Sequence, residues 1–201
     1  MKILAVDCCL KLTGAALMVD GEIVGHEQGD LGRKQSSELP LMCERLMKSA
    51  CLSWNELDYV ALTNGPGYFT GIRVGASYAS GIAYASGAMV IPVSTFSVLS
   101  HGFFVPPLTL IYAGHGYVYA ECENSLKAVE YSHSEILDWL NVHPDTAIIS
   151  DDPERTGLDV EFMRVKPDML ALCELSAKNI NMAVSPSNLK INYYRAPQGV
   201  N

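Results

Sequence analysis

The chain has 201 residues, of which 49% are hydrophobic and 18% charged, and this balance excludes a disordered protein. Its formal net charge is −8. A module that grips RNA by itself carries a basic surface, so we do not expect one here. The six cysteines form no C-x-x-C pair and no signal-peptide pattern opens the chain, which favours a reduced, cytoplasmic protein. The uncharged stretch 74–120 is interrupted by Gly, Ser and Pro, so we predict no membrane span.

The chain opens with a predicted antiparallel pair of strands. Lys2–Asp7 has the composition of a buried strand that ends in a carboxylate. Asp20-Gly21 separates the apolar runs Ala15–Val19 and Glu22–Val24, and Asp-Gly between such runs predicts a two-residue hairpin.

A helix is predicted after the polar loop 29–35. Apolar residues recur at helical spacing from about 38 to 51, and Ser36 or Ser37 is the expected cap. Ser53-Trp54-Asn55-Glu56 has the pattern of a capping box for one short turn.

The most marked turn signal in the chain is Gly65-Pro66-Gly67-Tyr68-Phe69-Thr70-Gly71, which follows a predicted strand over 58–63. We predict that Thr70 caps a helix from 71 to 86. Within that helix small residues recur every four positions, at Gly71, Gly75, Ala79, Ala83 and Gly87. Such a row permits close approach of another helix. The alternative is that it packs against the protein's own sheet.

A domain boundary is predicted around 100–107, where His-Gly and Pro-Pro pairs interrupt the pattern. Before it, a strand at 90–93 leads into a short helix capped by Ser94 or Thr95. After it, we predict strands at 108–112, 117–122 and 147–149, helices at 134–140 and 169–182, and a solvated acidic loop at 151–161.

Three kinds of chemistry can be weighed. No two histidines stand at H-x-x-x-H spacing, which argues against a metal site. Cys8 and Cys9 lack the surroundings of a catalytic nucleophile, so we interpret them as small residues at a strand end. A nucleotide phosphate could lie where Asp7 ends its strand and the turn leads into a helix N-terminus, and the candidate residues are Asp7, Gly65, Gly67 and Thr70. A tight turn without a ligand is the alternative.

Four segments resemble one family. Met1–Asp7 is similar to the opening of the TsaB (YeaZ) family, and Gly65–Gly75 resembles its GPGSFTGLRIG signature. Pro92–Leu99 and Tyr193–Pro197 are similar to two later motifs of that family, in the same order. Cys8-Cys9 stands where the family usually has Thr-Ser, and this departure argues against nucleotide binding by the chain.

The resemblance implies an α/β fold, the actin-like ATPase (ASKHA) fold of two RNase H-like lobes. We expect the first lobe over 1–99 and a second, shortened lobe over 100–201 that includes the C-terminal helix and tail. It also implies a non-catalytic scaffold or activator that pairs with TsaD, the paralogue that transfers threonylcarbamoyl to adenosine 37 of tRNA. TsaE joins that complex, the chain forms a homodimer in isolation, and no direct grip on tRNA is expected.

For cofactors, the resemblance allows only ATP or ADP at the interface with TsaD, and no metal. We expect the interface on the helices near 38–51 and 71–86, at Leu39, Met42, Leu46, Ile72, Gly75, Ala76, Ala79 and Ala83. Gly75→Arg or Ala79→Arg is then expected to abolish pairing and leave the monomer folded. The alternative function is an ASKHA-fold enzyme, an ATPase or glycoprotease-like peptidase, that acts on its own.

Overall fold

Residues 1–194 are described by a computed structural model, in which the chain divides into two α/β units. The first unit comprises Met1–Val98 and Pro167–Asn192. The second comprises Leu99–Lys166 with Tyr193 and Tyr194. Part of the motif that ends at Pro197 therefore lies outside the described residues. No helix in the described part is long and apolar enough to cross a membrane.

The first unit is built on a five-stranded sheet in the order β3-β2-β1-β4-β5. The strands are β1 (Lys2–Asp7), β2 (Leu12–Val19), β3 (Glu22–Asp30), β4 (Tyr59–Thr63) and β5 (Met89–Val93). β1, β2 and β3 form an antiparallel meander, whereas β4 and β5 run parallel to β1. The predicted hairpin is confirmed at Asp20 and Gly21, which both have positive φ, as this tight turn requires.

The helices are α1 (Gln35–Ser49), α2 (Phe69–Ser86), α3 (Thr95–Leu99), α4 (His133–Val142), α5 (Pro153–Thr156) and α6 (Met169–Lys178). α1 and α2 cover one face of the first sheet and share its apolar core with β1, β2 and β4. α6 covers the opposite face, where Met169, Leu172 and Cys173 pack against Ile3 and Ala5.

Several predicted boundaries are wrong by a few residues. β3 continues to Asp30 and a single 3-10 turn follows, so the predicted loop is shorter. α1 begins at Gln35 after Lys34, and Ser36 and Ser37 lie inside it. Thr70 likewise lies inside α2, which begins after Tyr68. The capping box at Ser53–Glu56 is confirmed, with the Glu56 carboxylate accepting from the Ser53 N–H at 3.0 Å.

The C-terminal helix belongs to the first unit, which corrects our prediction that everything after 100 forms the second lobe. The chain returns at Pro167, whose carbonyl accepts a 2.8 Å hydrogen bond from the Gln28 side chain. Beyond α6, Val184 pairs with Val90 at the edge of β5. The apolar side of α6 is required here because that face of the sheet is otherwise uncovered.

The second unit repeats the strand topology of the first. Its strands are β6 (Leu108–Gly114), β7 (Tyr117–Cys122), β8 (Leu126–Ser132), β9 (Ile148–Ser150) and β10 (Met163–Arg164), in the order β10-β9-β6-β7-β8. β6, β7 and β8 form a meander, and β9 and β10 run parallel to β6. β8 was not predicted, because Lys127 and Glu130 obscure the apolar alternation of a half-exposed strand. α5 interrupts the predicted acidic loop.

Candidate functional site

The end of β1 carries a buried carboxylate. Asp7 is 1% exposed, and its Oδ1 accepts hydrogen bonds from the Cys9 N–H at 2.9 Å and from the Thr63 hydroxyl. Its other oxygen, Oδ2, is buried without a hydrogen-bond partner among the described residues. An ionised carboxylate is poorly stabilised in such surroundings. Burial accordingly raises the pKa of Asp7, and the bonds from Thr63 and Cys9 oppose that rise.

We expect Asp7→Asn to remove a pH dependence of stability. Because the pKa of Asp7 is raised above its ordinary 3.8 on folding, the folded chain binds this proton more tightly than the unfolded chain. The resulting stabilisation is fully present below the unfolded pKa and is lost as the pH rises through the folded pKa. Urea unfolding of both proteins from about pH 4 to about pH 8 measures this loss. A difference in unfolding free energy that stays constant with pH would contradict it.

The loop after β1 closes the predicted phosphate site. The Tyr68 N–H, immediately before α2, donates to the Cys9 carbonyl at 2.7 Å. A Cβ added to Gly67 would lie 2.2 Å from the Cys9 carbonyl oxygen, so Gly67 is needed for this close approach. Asp7, Cys8 and Cys9 are each 1% exposed.

The structure therefore brings Asp7, Gly65 and Gly67 to one turn but seals that turn. Asn192, near the C-terminus, donates its N–H to the Asn64 carbonyl at 2.8 Å and covers Gly65. Thr70, the fourth candidate, is exposed on the first turn of α2, whereas the Asp7 carboxylate is buried. In this conformation the Asp7 carboxylate is closed off from solvent, and nucleotide binding at these four residues stays a prediction.

The two adjacent cysteines are held in their unreactive form. Burial and the neighbouring Asp7 raise the pKa of both thiols, that of Cys9 to about 12. A thiolate is the nucleophilic form of cysteine. Among the described residues, no group of three or more His, Cys, Asp or Glu side chains could hold a metal ion.

The row of small residues on α2 that begins at Gly71 packs inward, and different contacts explain different positions of the row. A Cβ at Gly71 would lie 1.9 Å from the Cys8 carbonyl oxygen, so the β1 loop requires glycine there. Ala79 and Ala83 are fully buried against the sheet. Gly87 ends the helix in the left-handed conformation. The alternative interpretation of this row, packing against its own sheet, is correct.

The residues that we expected at a partner interface lie in the core of the first unit. They are between 0 and 9% exposed where a side chain exists, and they belong to the inward faces of α1 and α2. Arginine at Gly75 or Ala79 would have to bury its charge, so those variants test folding and not pairing. The correction applies to Leu39, Met42, Leu46, Ile72, Gly75, Ala76, Ala79 and Ala83.

The opposite side of α2 carries a second small-residue row. Ser77, Gly81 and Ala85 follow one another at four-residue spacing, and all three are exposed. A Cβ added to Gly81 meets no atom within 4 Å. Val74, Tyr78 and Ile82 run beside this row and are half-buried against the core. We refer to these six residues as the outer face of α2.

Two grooves adjoin the outer face. One, of about 520 Å³, lies between α1 and α2 and is lined by Ser36, Leu39, Pro40, Phe69, Thr70, Arg73, Val74, Ser77 and Tyr78. The other, of about 390 Å³, lies between α2 and Trp54 and shares Ser77 and Tyr78 with the first. Near the C-terminal end of α2, Tyr84 is 85% exposed. The sequence contained the signal, because the spacing of Ser77, Gly81 and Ala85 is as regular as that of the inward row.

Two units with the same meander-plus-parallel topology define an α/β protein of the actin-like ATPase (ASKHA) fold, with two RNase H-like lobes. A sequence model of the family described as TsaD, tRNA N6-adenosine threonylcarbamoyltransferase, matches residues 30–196. The chain belongs to this family, in its TsaB (YeaZ) branch.

Related proteins and a related solved structure support the assignments of family and fold. The tRNA threonylcarbamoyladenosine biosynthesis protein TsaB of Haemophilus influenzae is 31% identical over 104 residues, which is 52% of this chain but 44% of that relative. The Escherichia coli protein of the same name is likewise matched over 44% of its length. TsaB of Buchnera aphidicola is 24% identical to this chain, and the match covers 94% of this chain and 93% of that relative. YeaZ from Pseudomonas aeruginosa shares the fold with a TM-score of 0.78 at 20% identity, over 96% of this chain and 99% of that one.

Proposed function

We propose that this chain is an accessory subunit in the biosynthesis of threonylcarbamoyladenosine in tRNA. In this proposal it pairs with a TsaD-type transferase through the outer face of α2 and does not catalyse the transfer itself. TsaE would join through the complex, and the same face would form a homodimer in isolation. The match over 93% of TsaB of Buchnera aphidicola and the TsaD family model support the pathway.

The observation that carries the pairing is the exposed row Ser77, Gly81 and Ala85. α2 has 18 residues and so is about 27 Å long, enough for an extended helix–helix contact. Small residues let a second backbone approach closely, and the apolar side chains beside them supply area that loses water on contact. Burial and the Cys43 thiol raise the pKa of Tyr78, so its hydroxyl stays neutral within this face.

A non-catalytic role is supported by the state of the candidate reactive groups. Asp7 is sealed from solvent, and the Cys8 and Cys9 thiols stay protonated at neutral pH because burial raises the pKa of each. The net charge of −8 favours contact with tRNA through a partner. These properties favour the subunit over an ATPase or peptidase that acts alone.

The test is co-purification with the TsaD encoded by the same genome, followed by a tRNA modification assay. With TsaE and the threonylcarbamoyl donor present, we expect adding this chain to raise the rate of adenosine modification. The chain alone is expected to give no modification. An equal rate with and without the chain, or turnover of ATP or peptide by the chain alone, would contradict the proposal.

A further inference from the structure

A single charged side chain stands among the described residues that line the groove between α1 and α2. Arg73 is exposed, and its guanidinium carbon lies 5.1 Å from the centroid of the Phe69 ring. The other lining residues are apolar or carry hydroxyl groups. Within residues 1–194, no carboxylate forms an ion pair with Arg73, and the first turn of α2 contains no acidic residue.

Covering this groove changes the surroundings of the Arg73 cation. In the isolated chain water solvates the guanidinium, and the Phe69 ring adds a cation–π contact. A helix that packs onto the outer face removes that water. A desolvated guanidinium is costly unless a carboxylate pairs with it, and its planar fork suits two parallel hydrogen bonds to one carboxylate. The occupant that fits must therefore bring an acid to this end of α2.

A second copy of this chain does not meet that requirement. Two copies related by a two-fold axis place the same patch against itself. The described residues that line the two grooves include no Asp or Glu. The nearby Glu44 on α1, whose charge acts on Tyr78, is already paired with Lys48 at 2.6 Å. Each Arg73 in such a dimer would face apolar and hydroxyl groups of the other copy, or the like charge of the other Arg73.

We infer that Arg73 determines specificity at this face, by favouring a partner helix that carries an Asp or Glu opposite the N-terminal end of α2 over a second copy of the chain. This rests on the proposed function, because it assumes that the outer face binds a TsaD-type protein. Shape and apolar area then favour pairing with TsaD and pairing with a second copy alike. The charge of Arg73 is what distinguishes the two partners.

The test measures binding of two Arg73 variants to the TsaD of the same genome by titration calorimetry. Arg73→Glu is expected to raise Kd roughly a hundredfold, and Arg73→Met, which keeps the aliphatic stem, roughly tenfold. Replacing the matching acid of TsaD by Lys is expected to restore binding of Arg73→Glu. Lys178→Glu, with the same charge change at the end of α6 on the other face of the sheet, is expected to leave Kd unchanged.

The second readout is the self-association of the chain, which is measured by sedimentation equilibrium. Arg73→Met is expected to strengthen the homodimer or leave it unchanged while it weakens binding to TsaD. Equal weakening of both assemblies would overturn the inference. The inference would also be overturned if Arg73→Glu left Kd unchanged while Gly81→Arg abolished binding. That result would still support the outer face of α2 as the interface with TsaD. If the wild-type chain does not bind TsaD, the proposed function fails and this inference fails with it.

Discussion

Gly81→Arg is expected to abolish pairing with TsaD and to leave the fold of the monomer intact. Gly81 is exposed in the middle of the outer row, and a Cβ added there meets no atom within 4 Å outside the neighbouring backbone of its own helix. Arginine is a better helix former than glycine by about 0.5–1 kcal/mol, so the monomer should be slightly stabilised. A long charged side chain on this row would keep a partner helix from approaching.

The measurement combines gel filtration of the mixed proteins with urea unfolding of the variant alone. Asn141→Arg, an exposed change in α4 of the second unit, is the matched control and should co-elute with TsaD as the wild type does. If Gly81→Arg still co-elutes, the outer face is not the interface. A lower urea midpoint for the variant would show instead that Gly81 has a structural role.

Gly71→Ala is expected to destabilise the first unit by about 2–3 kcal/mol, at the upper end of the usual cost of overpacking. Its Cβ would lie 1.9 Å from the Cys8 carbonyl oxygen and 3.1 Å from the Cys8 carbonyl carbon. Both are backbone atoms, so no side chain can rotate away. Either α2 or the loop after β1 must move, and the hydrogen bond from the Tyr68 N–H to the Cys9 carbonyl is disturbed with it.

The same substitution at two other positions of α2 provides the controls. Gly81→Ala should stabilise the chain by about 0.5–1 kcal/mol, because it improves helix propensity in open space. Gly75→Ala should also be tolerated and slightly stabilising, since its nearest contact is an ordinary 3.6 Å to the Cys8 Cβ and alanine is the better helix former. Urea midpoints at equal m-value give the three free energies. A Gly71→Ala protein as stable as Gly81→Ala would show that the β1 loop does not hold α2 as described.

Local signals in the sequence were sufficient for most of the secondary structure. The hairpin at Asp20-Gly21 and the capping box at Ser53–Glu56 each depend on residues within a few positions of one another, and both are confirmed. The Gly65–Gly75 signature led to the family that the comparisons establish. β8 was missed because its polar residues conceal the apolar alternation of a half-exposed strand, which pairs with β7.

The sequence did not predict that both units share one strand topology. The strand order of the second sheet matches that of the first, yet no residue-level repeat accompanies it. A sheet of this kind needs only suitable patterning on its faces, and many sequences supply that patterning. The return of α6 to the first unit likewise depends on an uncovered sheet face more than a hundred positions earlier in the chain.

By itself, the sequence determined that α2 is a helix with small residues at four-residue spacing, since helical periodicity is a local property. It could not determine which of two such rows faces inward. Gly71 and Gly75 face inward because the loop at Cys8, more than 60 positions earlier, lies against them, and this contact leaves Ser77, Gly81 and Ala85 outside. The rotation of a helix about its axis is set by what packs on it, so only the tertiary structure decided which residues are available to a partner.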